Sequence, residues 1–304
     1  MAVPLQLGFA DYEQTYAKKK TRRQIFLEQM EATLPWELFL TLIRPFYHQP
    51  SAKGGRPPFP LEVMLRIHLL QQWFTLSDPL MEEMLIDTPC FRRFAGIDMI
   101  DGRIPDETTI LNFRHLLEEH QIAEQVLERV NESLIEKGLL IKQGTILDAT
   151  IINAPSSTKN KKGERDPEMH SVAKGNQWFF GMRCHIGVDA DSGLVHSVVS
   201  TAANVHELNT AADRVHGDER VIYGDSGHIG IEKRDGFKNC GAQMRIAMKP
   251  GQRRVLPDTP EGRLLDLLES AKAHLRAKVE HPFRIIKCQF GFRKVFYRGI
   301  KKND

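Results

Sequence analysis

The stretch TILDATII, residues 145–152, decides the fold of this chain. It is short, apolar and rich in β-branched residues, which is typical of a buried strand. One acidic residue, Asp148, lies in its middle. Because burying an unpaired carboxylate is costly, an Asp in such a strand is expected to have a hydrogen-bond network, a cation or a metal as its partner. The stretch therefore predicts a core strand whose carboxylate has a partner.

Strand and helix patterns continue towards the C-terminus. The turn sequence Ala-Asp-Ser-Gly at residues 190–193 predicts a hairpin between two strand-like runs, and a later apolar run ends at Asp225. Strand, hairpin, helix, strand and late helix is the order of elements in a ribonuclease-H-like α/β domain. The predicted elements are a lysine-rich surface loop at 153–175, strands at 183–189 and 194–200, a helix at 204–215, strands at 221–224 and 245–248, and a long amphipathic helix from about residue 260.

The first half of the chain reads as helical. Apolar residues recur at helical spacing, Asp106 is placed to cap one helix, and Gly138 is placed to end another. We therefore predict two domains, an all-helical DNA-binding domain at residues 1–140 and a ribonuclease-H-like catalytic domain at residues 141–304. The predicted helices lie at 61–74, at 76–94 as one or two short helices, at 105–119 and at 122–134.

Composition limits the functional classes. With 41% hydrophobic and 27% charged residues, the 304-residue chain has the composition of an ordinary globular protein. No apolar run approaches the ~20 residues of a membrane-spanning helix, and the opening MAVPLQLGFADYEQ lacks the basic start and apolar stretch of a secretory signal. The four cysteines form no C-x-x-C pair, which argues against a zinc site or a disulfide framework. We expect a cytoplasmic protein with no membrane partner.

Positive charge concentrates in a few segments. Residues 271–304 contain ten Lys or Arg against two acids, and aromatic residues interleave with them, so this tail is basic and yet folded. Such patches suit a polyanion because each neutralised phosphate releases condensed counterions. A solvated surface, or a plain helical-bundle core for the helix at 105–119, is the alternative interpretation. The predicted DNA-contacting residues are Arg276 and Lys287 in the tail, Lys159, Lys161 and Lys162 in the surface loop, and Arg114 on the helix.

Three acids are the candidate catalytic and metal-binding residues: Asp148, Asp225 and Glu280. Two carboxylates at neighbouring strand ends and a third from a helix packed across them can converge on one point. Oxygen-only ligands select hard cations such as Mg²⁺, and two such ions support in-line phosphoryl displacement. In this prediction Asp148 bridges both ions, while Asp225 and Glu280 complete one ion each. The alternative is one Asp satisfied by backbone donors and two ordinary surface acids.

Two cations accompany Glu280 along the sequence. Arg276 lies four residues before it and Lys287 seven residues after it, so on a continuous helix all three share one face. This arrangement would clamp a phosphodiester beside the metal ions. Pro282 interrupts the helix, and Lys287 would then be presented beyond a kink.

Motifs across the chain resemble those of transposases in the group named after insertion sequence five. The likeness is dense and covers nearly the whole chain from about residue 54. It implies a ribonuclease-H-like fold, Mg²⁺ (two ions, with Mn²⁺ as a substitute) and the Asp-Asp-Glu triad at the three acids above. The motifs are GGRPPFPLEVMLRIHLLQQWF (54–74), RIPDETTILNFRHLLE (103–118), GTILDATIINAPSSTKN (144–160), DPEMHSVAKGNQWFFGMRCHIGVDADSGLVHSV (166–198), ANVHELNTAADRVHG (203–217), VIYGDSGHIG (221–230) and VEHPFRIIKCQFGFRKVFYRGIKKN (279–303).

The resemblance also implies partners and a setting. Such enzymes bind the terminal inverted repeats of their element, cut the DNA and join the freed ends to target DNA. Because joining two ends requires two active sites, a homodimer on DNA is expected. The implied setting is the bacterial cytoplasm, in association with the nucleoid.

Two departures from the family pattern bear on activity. The signature around the catalytic glutamate runs Tyr, Arg, Glu, Lys, and Ala273 occupies the tyrosine position. Relatives also continue beyond residues 297–303 with a further helix, so an inactive or truncated relative that acts only as a DNA-binding protein is one alternative function. A related nuclease that cuts without strand transfer is the other.

Overall fold

The computed structural model describes residues 19–49, 54–98, 102–238 and 240–303. The chain divides into two compact units, Met1–Val126 and Leu127–Asp304. The opening segment, residues 1–14, lies outside the described residues. Among those that are described, no helix combines the length and the apolar character that a bilayer crossing requires.

The first unit is helical, as predicted. Its cores form where apolar residues recur at helical spacing, and Ile67, Leu70 and Phe91 are fully buried. Asp106 caps a helix as expected, because its Oδ1 accepts a hydrogen bond from the Thr109 backbone N–H at 2.7 Å. The described helices are α1 (Arg22–Thr33), α2 (Trp36–Ile43), α3 (Leu61–Phe74), α4 (Asp78–Asp87), α5 (Pro89–Ala95), α6 (Glu107–Glu119) and α7 (Ile122–Glu136), the last of which spans the division between the units.

The second unit is built on one mixed sheet. Strand β1 is central: it pairs antiparallel with β3 and parallel with β5, and β5 pairs parallel with β6. Strand β3 also pairs antiparallel with β2 and β4. This ribonuclease-H-like α/β arrangement agrees with the predicted fold class. The strands are β1 (Gly144–Asn153), β2 (His170–Lys174), β3 (Gln177–Asp189), β4 (Val195–Ala202), β5 (Val221–Gly224) and β6 (Gln243–Ile246).

Both faces of β1 are buried, which explains its nearly continuous apolar sequence. On one face Ile146 packs with Val279 and Phe283 from the late helical segment. On the other face Leu147 packs with Ile222 and its neighbours. The sheet therefore holds the segment around residue 280 directly across from the first half of β1.

Two predicted elements between β1 and β5 differ in type from the observed ones. The predicted surface loop at 153–175 contains strand β2 near its end, and its polar sequence hides this because β2 is largely exposed. Residues 204–215 form two 3₁₀ turns, Glu207–Thr210 and Ala212–Arg214, instead of one helix. The hydrogen bonds of a buried arginine hold this segment in its tight path, and no apolar periodicity reveals such a constraint.

The late helix is segmented. After α8 (Pro250–Arg254), helix α9 (Pro260–Arg276) leads through one 3₁₀ turn into the short α10 (Glu280–Arg284) and a single π turn, Ile285–Gln289. Most leucines of α9 are exposed, which contradicts the predicted amphipathic helix with a simple apolar face. Near the C-terminal end of α9, Leu275 packs against the core. These exposed leucines are Leu264, Leu265, Leu267 and Leu268.

Candidate active site

The sheet brings Asp148 and Asp225 to the same place. The parallel register of β1 and β5 pairs Leu147 with Gly224, so the next residue of each strand is one of the two acids. Strand β5 ends at Gly224 while β1 continues to Asn153. The two carboxylates therefore lie where the sheet opens beside the middle of β1.

Each of these two carboxylates is held by one oxygen. Asp148 Oδ1 accepts a hydrogen bond from the Ala149 backbone N–H at 2.7 Å. Asp225 Oδ1 accepts the Gly227 backbone N–H at 2.9 Å and lies 2.8 Å from Nδ1 of His228. Among the described residues, no hydrogen bond reaches Oδ2 of either acid, so one oxygen of each remains available.

The electrostatic environment shifts the pKa values of the two acids in opposite directions. Burial raises the pKa of Asp148 to about 6, and the negative charges of Glu207 and Asp225 add to that effect against the Ala149 N–H and Arg276. Burial also acts to raise the pKa of Asp225, but His228, Arg276 and the Gly227 N–H outweigh it and hold that pKa below its ordinary value. A cation placed between these acids would relieve the cost of an ionised Asp148.

Glu207, a residue not singled out from the sequence, belongs to the same cluster. It begins the first 3₁₀ turn, and one ligand atom each from Glu207, Asp225 and His228 lies within 4.8 Å of the others. Its Oε2 atom is buried and has no hydrogen-bond partner among the described residues. The motif ANVHE ends on this acid, but reading the segment as a plain helix gave no reason to place it near Asp148.

A buried arginine ties these pieces together. Arg214 is fully buried, and its guanidinium donates to the backbone carbonyls of Asp148 at 3.2 Å and Glu207 at 2.9 Å. Further hydrogen bonds reach the carbonyls of Ile186 and Thr210. The same cation thus fixes the main chain beneath two acids of the cluster.

Glu280, the third predicted acid, lies on the helical segment that crosses β1. It is the first residue of α10, flanked by the buried Val279 and Phe283. Its own side chain is exposed and interacts electrostatically with Lys287. No recorded contact joins Glu280 to Asp148 or Asp225 among the described residues.

The two predicted phosphate clamps lie beside the acids. Arg276 ends α9, interacts with both Asp148 and Asp225, and its buried Nε has no hydrogen-bond partner among the described residues. Lys287 Nζ donates to Thr150 Oγ1 at 2.5 Å, two residues beyond Asp148 on the same face of β1. Burial lowers the pKa of Lys287.

The other predicted DNA contacts differ in their surroundings. Lys159, Lys161 and Lys162 are exposed on the loop before β2. Arg114 is buried within the first unit, where its guanidinium pairs with Asp78 at 3.1 Å and Glu118 at 2.7 Å. This arrangement is at odds with a DNA-contacting role for Arg114, because the two carboxylates already neutralise its charge.

The fold and the site together define a ribonuclease-H-like domain with an acidic cluster at the opening of its central sheet. Residues 140–304 match the family model described as "Transposase DDE domain", and residues 14–116 match "Transposase domain (DUF772)". The chain belongs to the DDE transposase family. It is accordingly an enzyme of DNA transposition that cuts DNA and transfers strands, and this family uses divalent metal ions.

Solved structures give weaker likenesses. One chain of the cryo-EM structure of the simian T-cell lymphotropic virus intasome in complex with PP2A regulatory subunit B56 gamma is 12% identical, with a TM-score of 0.23 over 77% of this chain and 70% of that one. A chain of the Mos1 transposase paired-end complex with left transposon end is 15% identical, with a TM-score of 0.20 over 92% of this chain and 100% of that one. The family match, and not these likenesses, defines the class.

Proposed function

We propose that this transposase belongs to the group named after insertion sequence five and cuts DNA with Mg²⁺ held by Asp148, Asp225 and Glu280. The observation that carries the proposal is the strand register, which sets the first two acids side by side where β5 ends. The third acid lies on the segment that packs across the same strand. An Asp-Asp-Glu set supplied by two strands and a helix is the arrangement that the family model and the sequence motifs lead us to expect.

The donor set suits a hard divalent cation. Carboxylate oxygens dominate it, Asp148 and Asp225 each keep one oxygen free of hydrogen bonds within the described part of the chain, and Glu207 Oε2 is a buried oxygen without a partner. When bound, such ions activate the attacking oxygen and stabilise the leaving oxygen of a phosphodiester. Within the part of the chain that the structure describes, the cluster of Glu207, Asp225 and His228 contains no thiolate, the ligand type that would favour zinc.

The cations around the acids are assigned to the DNA. Arg276 interacts electrostatically with Asp148 and Asp225, and a positive charge beside the place of cleavage would stabilise charge that develops on a phosphate. Lys287, anchored on Thr150, offers a second cation on the same strand face. Lys159, Lys161 and Lys162 extend the charge along an exposed loop and would track the backbone of the duplex.

The remaining assignments concern the whole assembly. Terminal inverted repeats and target DNA are the substrates, with residues 1–140 serving repeat binding and residues 141–304 the chemistry. Joining two transposon ends to target DNA requires two active sites. We therefore propose a homodimer on DNA.

The test is cleavage by an Asp148→Asn variant. Incubated with a duplex that contains the flanking terminal repeat and Mg²⁺, it should lose at least about a thousandfold of its nicking rate, because the central ligand is gone, and still bind the duplex. Asp191→Asn, an exposed acid in the β3–β4 turn, is the matched control and should cut normally. Normal cleavage by Asp148→Asn would remove the triad assignment, and a supply of pre-cut ends would separately test strand transfer.

A further inference from the structure

Glu207 is unsatisfied where it stands. Its Oε1 accepts one bond, from Arg183 at 3.4 Å, which is long for an ion-paired hydrogen bond. Its Oε2 is buried without a hydrogen-bond partner in the described part of the chain, although the side chain as a whole keeps 18% of its exposure. A carboxylate that gives up water for one weak contact is destabilising unless another group completes it.

The neighbouring imidazole does not complete it. His228 is fully buried, and its Nδ1 lies 2.8 Å from Asp225 Oδ1 but 3.9 Å from Glu207 Oε2. One ring N–H serves one acceptor at hydrogen-bond distance, and the geometry gives it to Asp225. His228 therefore orients Asp225, while Glu207 Oε2 lies in the same cluster without a hydrogen-bond partner among the described residues.

Hydrogen bonds to the main chain also fix the position of Glu207. Arg214 holds its carbonyl oxygen together with that of Asp148, and the two side chains interact electrostatically. Three carboxylates at Asp148, Glu207 and Asp225 face one opening with Arg276 as a neighbouring cation. Arg214 and Arg276 offset part of the repulsion among these like charges, and a divalent cation bound among the carboxylates would offset more of it.

We propose that Glu207 is a further ligand of the divalent cation, binding through Oε2 beside Asp148 and Asp225. The inference rests on the proposed function in that it needs a metal at those two aspartates, and it adds a fourth carboxylate to the three that the family pattern supplies. Glu207, Asp225 and His228 each bring one ligand atom to the same cluster, while Glu280 is exposed on the helical segment that packs across β1. These carboxylates would supply the oxygen ligands that hard divalent cations prefer.

The experiment measures metal binding directly, without catalysis. Mn²⁺ is titrated into the full-length protein by calorimetry, with the melting temperature recorded before and after saturation. Glu207→Gln should weaken Mn²⁺ binding by roughly tenfold or more while leaving the metal-free melting temperature equal to or above that of the wild type, because one of three crowded charges is removed. The matched control is Glu232→Gln, which changes an exposed glutamate of the same unit and should bind Mn²⁺ as the wild type does.

Two further variants separate a ligand from a structural residue. Arg183→Met removes the partner of Glu207 Oε1; if Glu207 is a ligand, Mn²⁺ binding stays equal or tightens, whereas a weakened affinity would show that the ion pair is what matters and overturn the proposal. Glu207→Asp keeps the charge and withdraws the oxygen by one methylene, so it should give an intermediate affinity. This variant also serves if Glu207→Gln proves poorly folded.

Failure of this inference and failure of the proposed function give different results. Unchanged Mn²⁺ affinity in Glu207→Gln, with affinity lost in Asp225→Asn, removes Glu207 from the site and leaves the proposed metal centre standing. Equal affinity in the wild type, Asp148→Asn and Asp225→Asn overturns the metal centre itself, and Glu207 with it.

Discussion

At the scale of single residues, the site depends on close packing between Gly224 and His228. A methyl group placed on Gly224 would come within 2.9 Å of both Cβ and Cγ of His228. The imidazole is fully buried and its Nδ1 bonds Asp225, so it has no room to withdraw. A side chain as small as alanine at the last position of β5 would therefore disturb the orientation of Asp225.

We expect Gly224→Ala to lower both stability and activity. The overpacking should cost about 1–3 kcal/mol of the free energy of unfolding, measured by urea denaturation, and the nicking rate should fall further than this loss explains because His228 no longer orients Asp225. Gly251→Ala is the control, since a methyl group there meets no atom within 4 Å. Wild-type stability and nicking in Gly224→Ala would contradict the packing argument.

At the scale of elements, Arg214 links strands to the segment between β4 and β5. Its bonds reach β1 at Asp148, β3 at Ile186 and the 3₁₀ turn at Glu207 and Thr210. Burial is the main influence on this guanidinium and lowers its pKa to about 10, which still leaves it charged at neutral pH. The segment is therefore organised around a buried cation and not around an apolar face.

Arg214→Met should destabilise the second unit by about 3 kcal/mol or more, because several buried carbonyl groups lose their donor. Chemical denaturation followed by circular dichroism measures the change. Arg234→Met, which removes an exposed arginine, should alter the free energy of unfolding by less than about 0.5 kcal/mol. If the two variants were equally stable, the buried hydrogen bonds would not organise this segment.

The same contrast shows what the sequence could predict. Helix α3 has the bounds that its apolar periodicity predicts, and β1 and the β3–β4 hairpin follow from local residue patterns. The path of residues 203–217 could not be read this way, because bonds from Arg214 to residues far apart in sequence decide it. Glu207 was not predicted for that reason, and charge patterns along the sequence do not show that Asp78 and Glu118 lie beside Arg114.

At the scale of the whole molecule, both units bury neutral histidines. Burial lowers the pKa of His68 to about 4 in the first unit, and it lowers the pKa values of His185 and His196 to about 3 in the second. The unfolded chain takes up these protons near the ordinary value of 6.5, while the folded protein resists them. Stability is thus complete above about pH 6.5 and is lost as the pH falls from there towards 3 to 4. Asp148 acts oppositely, since its raised pKa lets the folded protein take up one proton near pH 6.

We expect the urea midpoint to fall between pH 7.5 and pH 5. Each buried histidine should remove about 2 kcal/mol of stability at pH 5, and protonation of Asp148 should return about 1 kcal/mol. Urea unfolding curves at pH 7.5, 6 and 5 measure the midpoint. His196→Gln should make the midpoint of the second unit depend less on pH. A midpoint that stays constant over the range would show that these imidazoles are protonated in the folded protein.

The parallel pairing of β1 with β5 limits where the gene can gain or lose codons. The strand pairing that begins at Gly144 and Val221 places Asp148 beside Asp225. One codon gained or lost inside either strand would therefore turn an acid to the opposite face of the sheet. The segment between β1 and β2 takes no part in this pairing, so insertions there leave the spacing of the acids intact. Insertions at residues 156–165 should therefore be tolerated, whereas an insertion or deletion within residues 144–148 or 221–225 should move one acid away from the other.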